Sequence, residues 1–483
     1  MNYYVDLCSL DNKVYGHQGA IFANVSTHSS NDSPLKAVLK LPQTSHYWLT
    51  NAQVAHVLLA PAAPISDWRP NTDGLVTVNL EIKDGKIRQI LPAQAVAGAL
   101  ALQADVAQVD LRQGQVWPCF VDLHTHLDKG HVWPRCPNPD GLFDSAIATI
   151  QADAAAHWQP DELYQRMSFG LRCSYAQGTA AIRTHLDSAG DLAALNWEVF
   201  QTVRAEWQDR ITLQGVCLVT GDYYLTPAGE ALADRVAAAG GSLGAVLFRH
   251  PDLDRILQRL MQLAQDRHLD LDLHVDESDN PADQALYYTA QAAIRLNFTG
   301  SIVCGHCCSL ALQSPVAIAS TIDLVKQAGI GIVSLPQCNL FLQGRTPQQT
   351  PRWRGITLIQ ELQAAGVPVA VASDNCRDPF HAYGDHDVLD VFRDSVRIGQ
   401  LDRPFGQAPA LVTRTPAQLM GLKSVGTIAV GAPADLVLFR GRSFSELLSR
   451  SQHDRVVLRH GQPIDRTLPD YAELDSLFVS DCG

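Results

Sequence analysis

Between residues 116 and 373, apolar runs of strand length alternate with stretches that have a helical rhythm. The runs are Val116–Leu123, Thr179–His185, Ile211–Val219, Leu243–Phe248, Leu269–His274, Ser301–Gly305, Gly329–Leu335 and Val367–Ser373. Between them, apolar residues recur at three- and four-residue intervals, as in Asp252–Gln265, Pro281–Arg295 and Ile322–Gln327, and predict amphipathic helices. Eight strands alternating with helices predict an α/β chain closed into a (β/α)8 TIM barrel. An open doubly wound sheet gives the same alternation, but no G-x-G-x-x-G follows the first strand.

The flanks have a different period. AHVLLA, GLVTVNLEIKDGKIRQILP and ADVAQVDL are short alternating strands, with Lys83-Asp84-Gly85-Lys86 as a hairpin turn. GTIAVGAPADLVLFRG and DRVVLRHGQPI have the same character near the other end. The expected organisation is an irregular extension over 1–45 and a small β-sandwich domain from 46–113 plus 424–465. A catalytic barrel over 114–423 and a tail over 466–483 complete it.

Composition narrows the function. The 483 residues are 46% hydrophobic and 18% charged, enough for a sizeable core. A net charge of −13 with no basic patch gives no support for binding nucleic acid. The first twenty residues lack the basic and apolar regions of a signal peptide, and no apolar run is long enough to span a membrane. Eleven cysteines, several inside apolar runs, predict buried free thiols and a cytoplasmic location. Cys304 and Cys307 form one C-x2-C pair without the second pair of a structural zinc site.

Chemistry concentrates at the strand ends, where a (β/α)8 barrel carries its active site. His124-Thr-His126 closes the first run, Arg183-Thr-His185-Leu-Asp187 the second and His274-Val-Asp276-Glu277 the fifth. Gly305-His306 closes the sixth and Ser373-Asp374-Asn375 the eighth. Residues i and i+2 of a strand share a face, so His124 and His126 can hold one metal together. His274 adds a third nitrogen and Asp374 a carboxylate oxygen, a set suited to one hydrolytic metal with room for water. Each piece alone has an ordinary reading: a packing histidine, a turn aspartate, a salt-bridged Glu277. Their convergence predicts a metal site.

These residues bring a resemblance with them. GQVWPCFVDLHTHLDKG resembles the first-strand motif of the amidohydrolase superfamily, and HLDK is similar to its cytosine deaminase branch. RTHLDS, HVDES, VCGHCCSLA, NLFLQGR, RWRGIT and VASDNCRDPF resemble segments of that branch in its order, from about Gly114 to Asp387. The resemblance implies one divalent ion, zinc or iron, on His124, His126, His274 and Asp374. It implies Glu277 as proton shuttle and His306 as the residue that orients the attacking water. The fourth run, LGAVLFRHPD, lacks the lysine that bridges two metals in other branches. A homo-oligomer is also implied.

The sequence departs from cytosine-reading members where the base is read. Thr220 stands near the place of their glutamine and Asn375 at the place of a second aspartate. Losing one complementary hydrogen bond can shift specificity by orders of magnitude. Triazines, creatinine-like rings, isocytosine and pterins fit the branch as well as cytosine. Lys129 is a candidate to bind a substrate carbonyl, with an ion pair to Asp128 or another carboxylate as the alternative. Gln343 and Arg345 are candidates to read substrate or to hold their loop. Trp133, Trp353 and Phe380 are candidates for an apolar pocket wall. The expected activity is hydrolytic deamination of a small nitrogen heterocycle. Release of an alkylamine from a triazine-type ring, or opening of a cyclic amide, is the alternative. A non-catalytic metalloprotein is the more remote one.

Overall fold

The structure is a computed structural model that describes residues 41–60, 68–93 and 105–478. The chain divides into two units, Met1–Val38 and Leu39–Gly483, and the described strands and helices all belong to the second. Most of the expected 1–45 extension lies outside the described residues.

The N-terminal flank folds into β1 (His46–Ala55), β2 (Leu75–Lys83), β3 (Lys86–Pro92) and β4 (Ala107–Asp110), in the order β3-β2-β1-β4. The predicted hairpin is present: Lys83 pairs with Lys86 across Asp84 and Gly85, whose φ values are 50° and 78°. Two positive φ angles make the turn whose twist matches the flanking strands, and Asp-Gly supplies them at low cost.

The predicted first barrel strand is split. Val116–Pro118 is a separate strand, β5, antiparallel to β14 (Leu436–Leu438), and only β6 (Phe120–Thr125) belongs to the barrel. Between them, Cys119 N–H donates to Asp435 O and Phe120 N–H to Gly178 O, so the chain changes sheets within two residues. The continuous apolar run conceals this, because both segments are buried. β14 continues through β15 (Val456–Arg459) to β16 (Gln462–Pro463). Trp117 of β5 packs edge-on against Phe392 and Phe439, so one aromatic cluster joins this sheet to a helix of the barrel.

β6 continues in parallel to β7 (Thr179–Asp187) and β8 (Thr212–Leu218). β9 (Leu243–Leu247), β10 (Leu271–Val275), β11 (Ile302–His306), β12 (Gly331–Ser334) and β13 (Val369–Val371) form a second parallel set. Bridges from Val216 to Ser242 and from Thr220 to Val246 join the sets on one side. A bridge from Thr125 to Asp374 joins them on the other. The eight predicted runs thus form a ring of parallel strands, as expected of a (β/α)8 barrel.

The helices begin where local chemistry allows. Helix Ala285–Arg295 starts four residues after the predicted Pro281, because Asp276 accepts the N–H groups of Ala285 and Leu286 and sets its first turn. Helix Pro315–Gln327 starts before the predicted Ile322, with Ser314 capping it. No described helix is long and apolar enough to cross a membrane.

The end of the ring opposite the strand C-termini is closed by helix Arg414–Leu419. Ala417 and Met420 pack on Val121, Ala181 and Val333. Here Arg183 Nη1 meets Asp272 Oδ2 at 2.8 Å, and the same guanidinium donates to Gln214 Oε1. Both ionic partners are buried, and removing one strands the other in a low dielectric. Arg183→Leu is expected to destabilise the fold by about 3–5 kcal/mol in urea denaturation. Arg183→Leu/Asp272→Leu should recover part of that loss. A loss typical of an exposed ion pair would show that this one does not anchor the ring.

Candidate active site

The ends of β6, β10, β11 and β13 bring the predicted donors together. His126 Nε2 lies 3.3 Å from Asp374 Oδ1 and 3.3 Å from His274 Nε2, and His124 Nε2 lies 3.6 Å from Asp374 Oδ1. Local structure explains the convergence. His124 sits in β6 and His126 just beyond it, on the same face. Asp374 adopts φ +62° and its N–H donates to His124 O at 2.8 Å, which turns its side chain toward the imidazoles. Asp122 accepts both the N–H and the O–H of Ser373, and this fastens β13 to β6 beneath the donors. Gly305 leaves His124 its space, since a Cβ there would lie 3.1 Å from His124 Cε1.

The donor set fits a divalent metal ion. Both ring nitrogens of His124, Nδ1 of His274 and both carboxylate oxygens of Asp374 are buried without a hydrogen-bond partner. Uncompensated burial of so many polar atoms is costly, and a cation held among them removes the cost. Burial, reinforced by neighbouring rings and Lys129, pushes the pKa of His124, His126 and His274 well below the ordinary range, so their lone pairs are free to bind a metal.

His185 belongs to the same cluster, a membership that the strand-end pattern alone does not assign. Its ring centroid lies 4.0 Å from that of His124, and its Nε2 lies 3.5 Å from Asp272 Oδ1. His124, His185 and Asp272 approach one another closely enough to share an ion. The signal is present as strand periodicity: His185 follows Arg183 by two positions, as His274 follows Asp272.

Glu277 and His306 form the other wall. His306 Nδ1 is 3.3 Å from Glu277 Oε1, and the Asn339 amide donates to both, at 3.0 Å to the ring nitrogen and 3.4 Å to the carboxyl. With Nδ1 accepting, the neutral ring carries its proton on Nε2, which has no protein partner. Burial pushes the His306 pKa down to about 3, keeping the ring neutral. Burial and the negative Asp374 push Glu277 well above the carboxylate range, against the opposing effect of Lys129. A buried carboxyl that keeps its proton at neutrality can donate it. Asn339 lies within the NLFLQGR segment, but nothing in the sequence shows that it bridges Glu277 and His306.

A cavity of about 590 Å³ opens over this cluster. Lys129, Thr220, Asn375 and Phe380 line it with His126, His274, Glu277, His306 and Asp374. Its walls are largely apolar, including Phe143, Ile147, Ile150, Leu192 and Phe248, none of which the sequence pattern singles out. Gln343 lies outside this cavity and donates to Glu277 O at 3.2 Å, a contact of the loop-holding kind. Arg345 lies over Phe341 and donates to its carbonyl, and Trp133 and Trp353 are likewise absent from the wall. Lys129 is ion-paired with Asp187 at 2.7 Å, whereas Asp128 accepts the Asp187 N–H.

The model of the amidohydrolase family matches residues 176–464. A pterin deaminase of Rhizobium rhizogenes is 49% identical over 438 residues, which cover 90% of this chain and 98% of that protein. An N-isopropylammelide isopropyl amidohydrolase of Pseudomonas sp. is 23% identical over 70% of this chain and 82% of its own length. Among solved structures, 5-methylcytosine deaminase from Klebsiella pneumoniae superposes with a TM-score of 0.73 at 23% identity, covering 88% of this chain and 98% of that one.

If His274 is a ligand, His274→Ala is expected to lose on dialysis the equivalent of metal held at this cluster, measured by plasma mass spectrometry against the unsubstituted protein. Undiminished metal would assign the ion to other donors.

Proposed function

The chain belongs to the amidohydrolase family and is a hydrolase of carbon–nitrogen bonds, a deaminase; from that premise we propose that its substrate is a pterin-type ring, whose 2-amino group it replaces with oxygen. The identity of 49% to a pterin deaminase along nearly the whole chain carries this reading. The cavity supports it: about 590 Å³ with apolar walls is ample for a flat bicyclic ring.

In this reading His124, His126, His274 and Asp374 hold one divalent ion, zinc or iron. When bound, the ion makes water nucleophilic at neutral pH. The chain's residues do the rest. Asp374 accepts a proton from the attacking water at a carboxylate oxygen. Glu277 gives its proton to the ring nitrogen beside the amino-bearing carbon, and a proton returned through the same carboxyl goes to the departing amine. The His306 Nε2–H donates to the incoming oxygen, and Asn339 holds His306 and Glu277 in register. The balance is ring–NH2 plus water giving ring C=O plus ammonia. Phe380 offers a face to the ring, and Lys129 a charged donor to its carbonyl. Asn375 lines the cavity with its amide nitrogen donating to Asp378 at 2.7 Å and its carbonyl oxygen accepting from Cys338 Sγ at 3.7 Å. Thr220, at the rim of the cavity, has only a short hydroxyl where a pyrimidine-reading glutamine would reach in.

The test is ammonia release from a panel of pterin, cytosine, 5-methylcytosine and guanine. Ammonia from pterin is expected, with kcat reduced roughly 10²–10⁴-fold in Glu277→Gln at unchanged metal content. Ammonia from a pyrimidine alone would overturn the substrate. None from any ring, with metal bound, would move the reading to release of an alkylamine.

A further inference from the structure

A second group of metal-ligating side chains lies outside this cavity. His131 follows the end of β6, and Cys376 and His386 follow β13. Their ligand atoms lie within 4.8 Å of one another, and all three side chains are buried. We propose that His131, Cys376 and His386 form a second metal site, for a thiophilic divalent ion of the zinc class.

The geometry suits such an ion. His131 Nε2 and His386 Nε2 are 3.1 Å apart, close to the roughly 3.3 Å between two nitrogens of a tetrahedral zinc site. Neither ring has a partner on Nδ1, so no hydrogen bond from its other side sets its orientation. Their Nε2 atoms face each other, and the His131 ring packs edge-on against Phe169 with centroids 4.8 Å apart. The backbone holds them there in uncommon conformations: φ is +69° at His131 and +53° at His386. His131 N–H donates to Cys376 O at 3.0 Å, which joins the two loops at the thiol. Gly170 leaves the His386 ring its space, because a Cβ there would lie 2.9 Å from His386 Nε2.

The site also has a route from solvent. A separate cavity of about 370 Å³ is lined by Cys376, His386, Asp385, Asp387, Asp390 and His453. Asp387 and Asp390 in that lining are paired with Arg455 and Arg393, so Asp385 is the carboxyl there that can meet a cation. Two imidazoles and a thiolate leave a fourth position for water or for Asp385, whose carboxyl receives the Tyr471 hydroxyl at 2.8 Å. Binding exchanges the thiol proton for the metal: Cys–SH plus M²⁺ gives Cys–S–M⁺ plus H⁺. The ion would tie the loop after β6 to the loop after β13, across the seam where the ring closes. This site is independent of the identity of the substrate.

Cobalt titration of the metal-stripped full chain separates this site from the first. Two equivalents are expected to bind, one of them bringing the near-ultraviolet charge-transfer band of a cobalt–thiolate bond. Cys376→Ser should lose that band and one equivalent, and His131→Gln should lower affinity for the same equivalent, both keeping the other. Saturation at one equivalent, or two equivalents without the thiolate band, would overturn the proposal. So would a band that survives Cys376→Ser, which would belong to Cys338, the thiol beside Asp374. If Cys376→Ser does not fold, the unsubstituted titration and His131→Gln decide.

Discussion

The hydrogen bond from Asp374 N–H to His124 O does two things at once. It closes the ring of strands at its weakest point, where β6 and β13 share a single bridge. It also sets a carboxylate against the imidazoles of His124 and His126. Asp122 makes this possible by drawing the Ser373 backbone and hydroxyl to the foot of β6. The fold and the donor cluster are therefore one construction. A strand that missed this register would open the ring and carry the carboxylate away from the histidines.

Exclusion of water then determines the protonation states. In the low dielectric of the strand ends, imidazoles stay neutral and an isolated carboxyl keeps its proton. The two carboxyls facing each other, Glu277 and Asp374, are separated in role by their partners. Glu277 has an amide and a neutral ring, whereas Asp374 has unprotonated nitrogens that call for a cation. Burial raises both carboxyls, Asp374 to about 7, and their different neighbours are what the proposed roles of acid and ligand rest on.

Much of this is legible in the sequence. All eight barrel strands stand out as apolar runs, and four of them end in the residues that converge, because strand ends are where a parallel barrel exposes polar side chains. The remainder depends on relations that pattern does not encode. The break at Pro118-Cys119 is invisible because both halves are equally buried. His185 and Asn339 act through residues distant in sequence, and Gln343 points to the back of Glu277 rather than the front. For Lys129 the sequence leaves open an ion pair or a substrate contact, and the structure gives it Asp187 while keeping it at the cavity wall. The hairpin at Asp84-Gly85 is legible because its φ requirement is local. The first 40 residues lie outside the described part of the structure.

The sheet change at Cys119 bears on how the molecule is made. β5 is held by β14, and β6, carrying His124, begins two residues after β5 ends. β14, which pairs with β5, follows every barrel strand in the chain, and β13 follows the seven other barrel strands. Of the two neighbours of β6, only β7 is present while β8 to β12 are being translated. Contacts this distant in sequence form late. The nascent chain therefore carries an unfinished donor set until Asp374 has emerged, and an ion that needs all four donors can be held only after that.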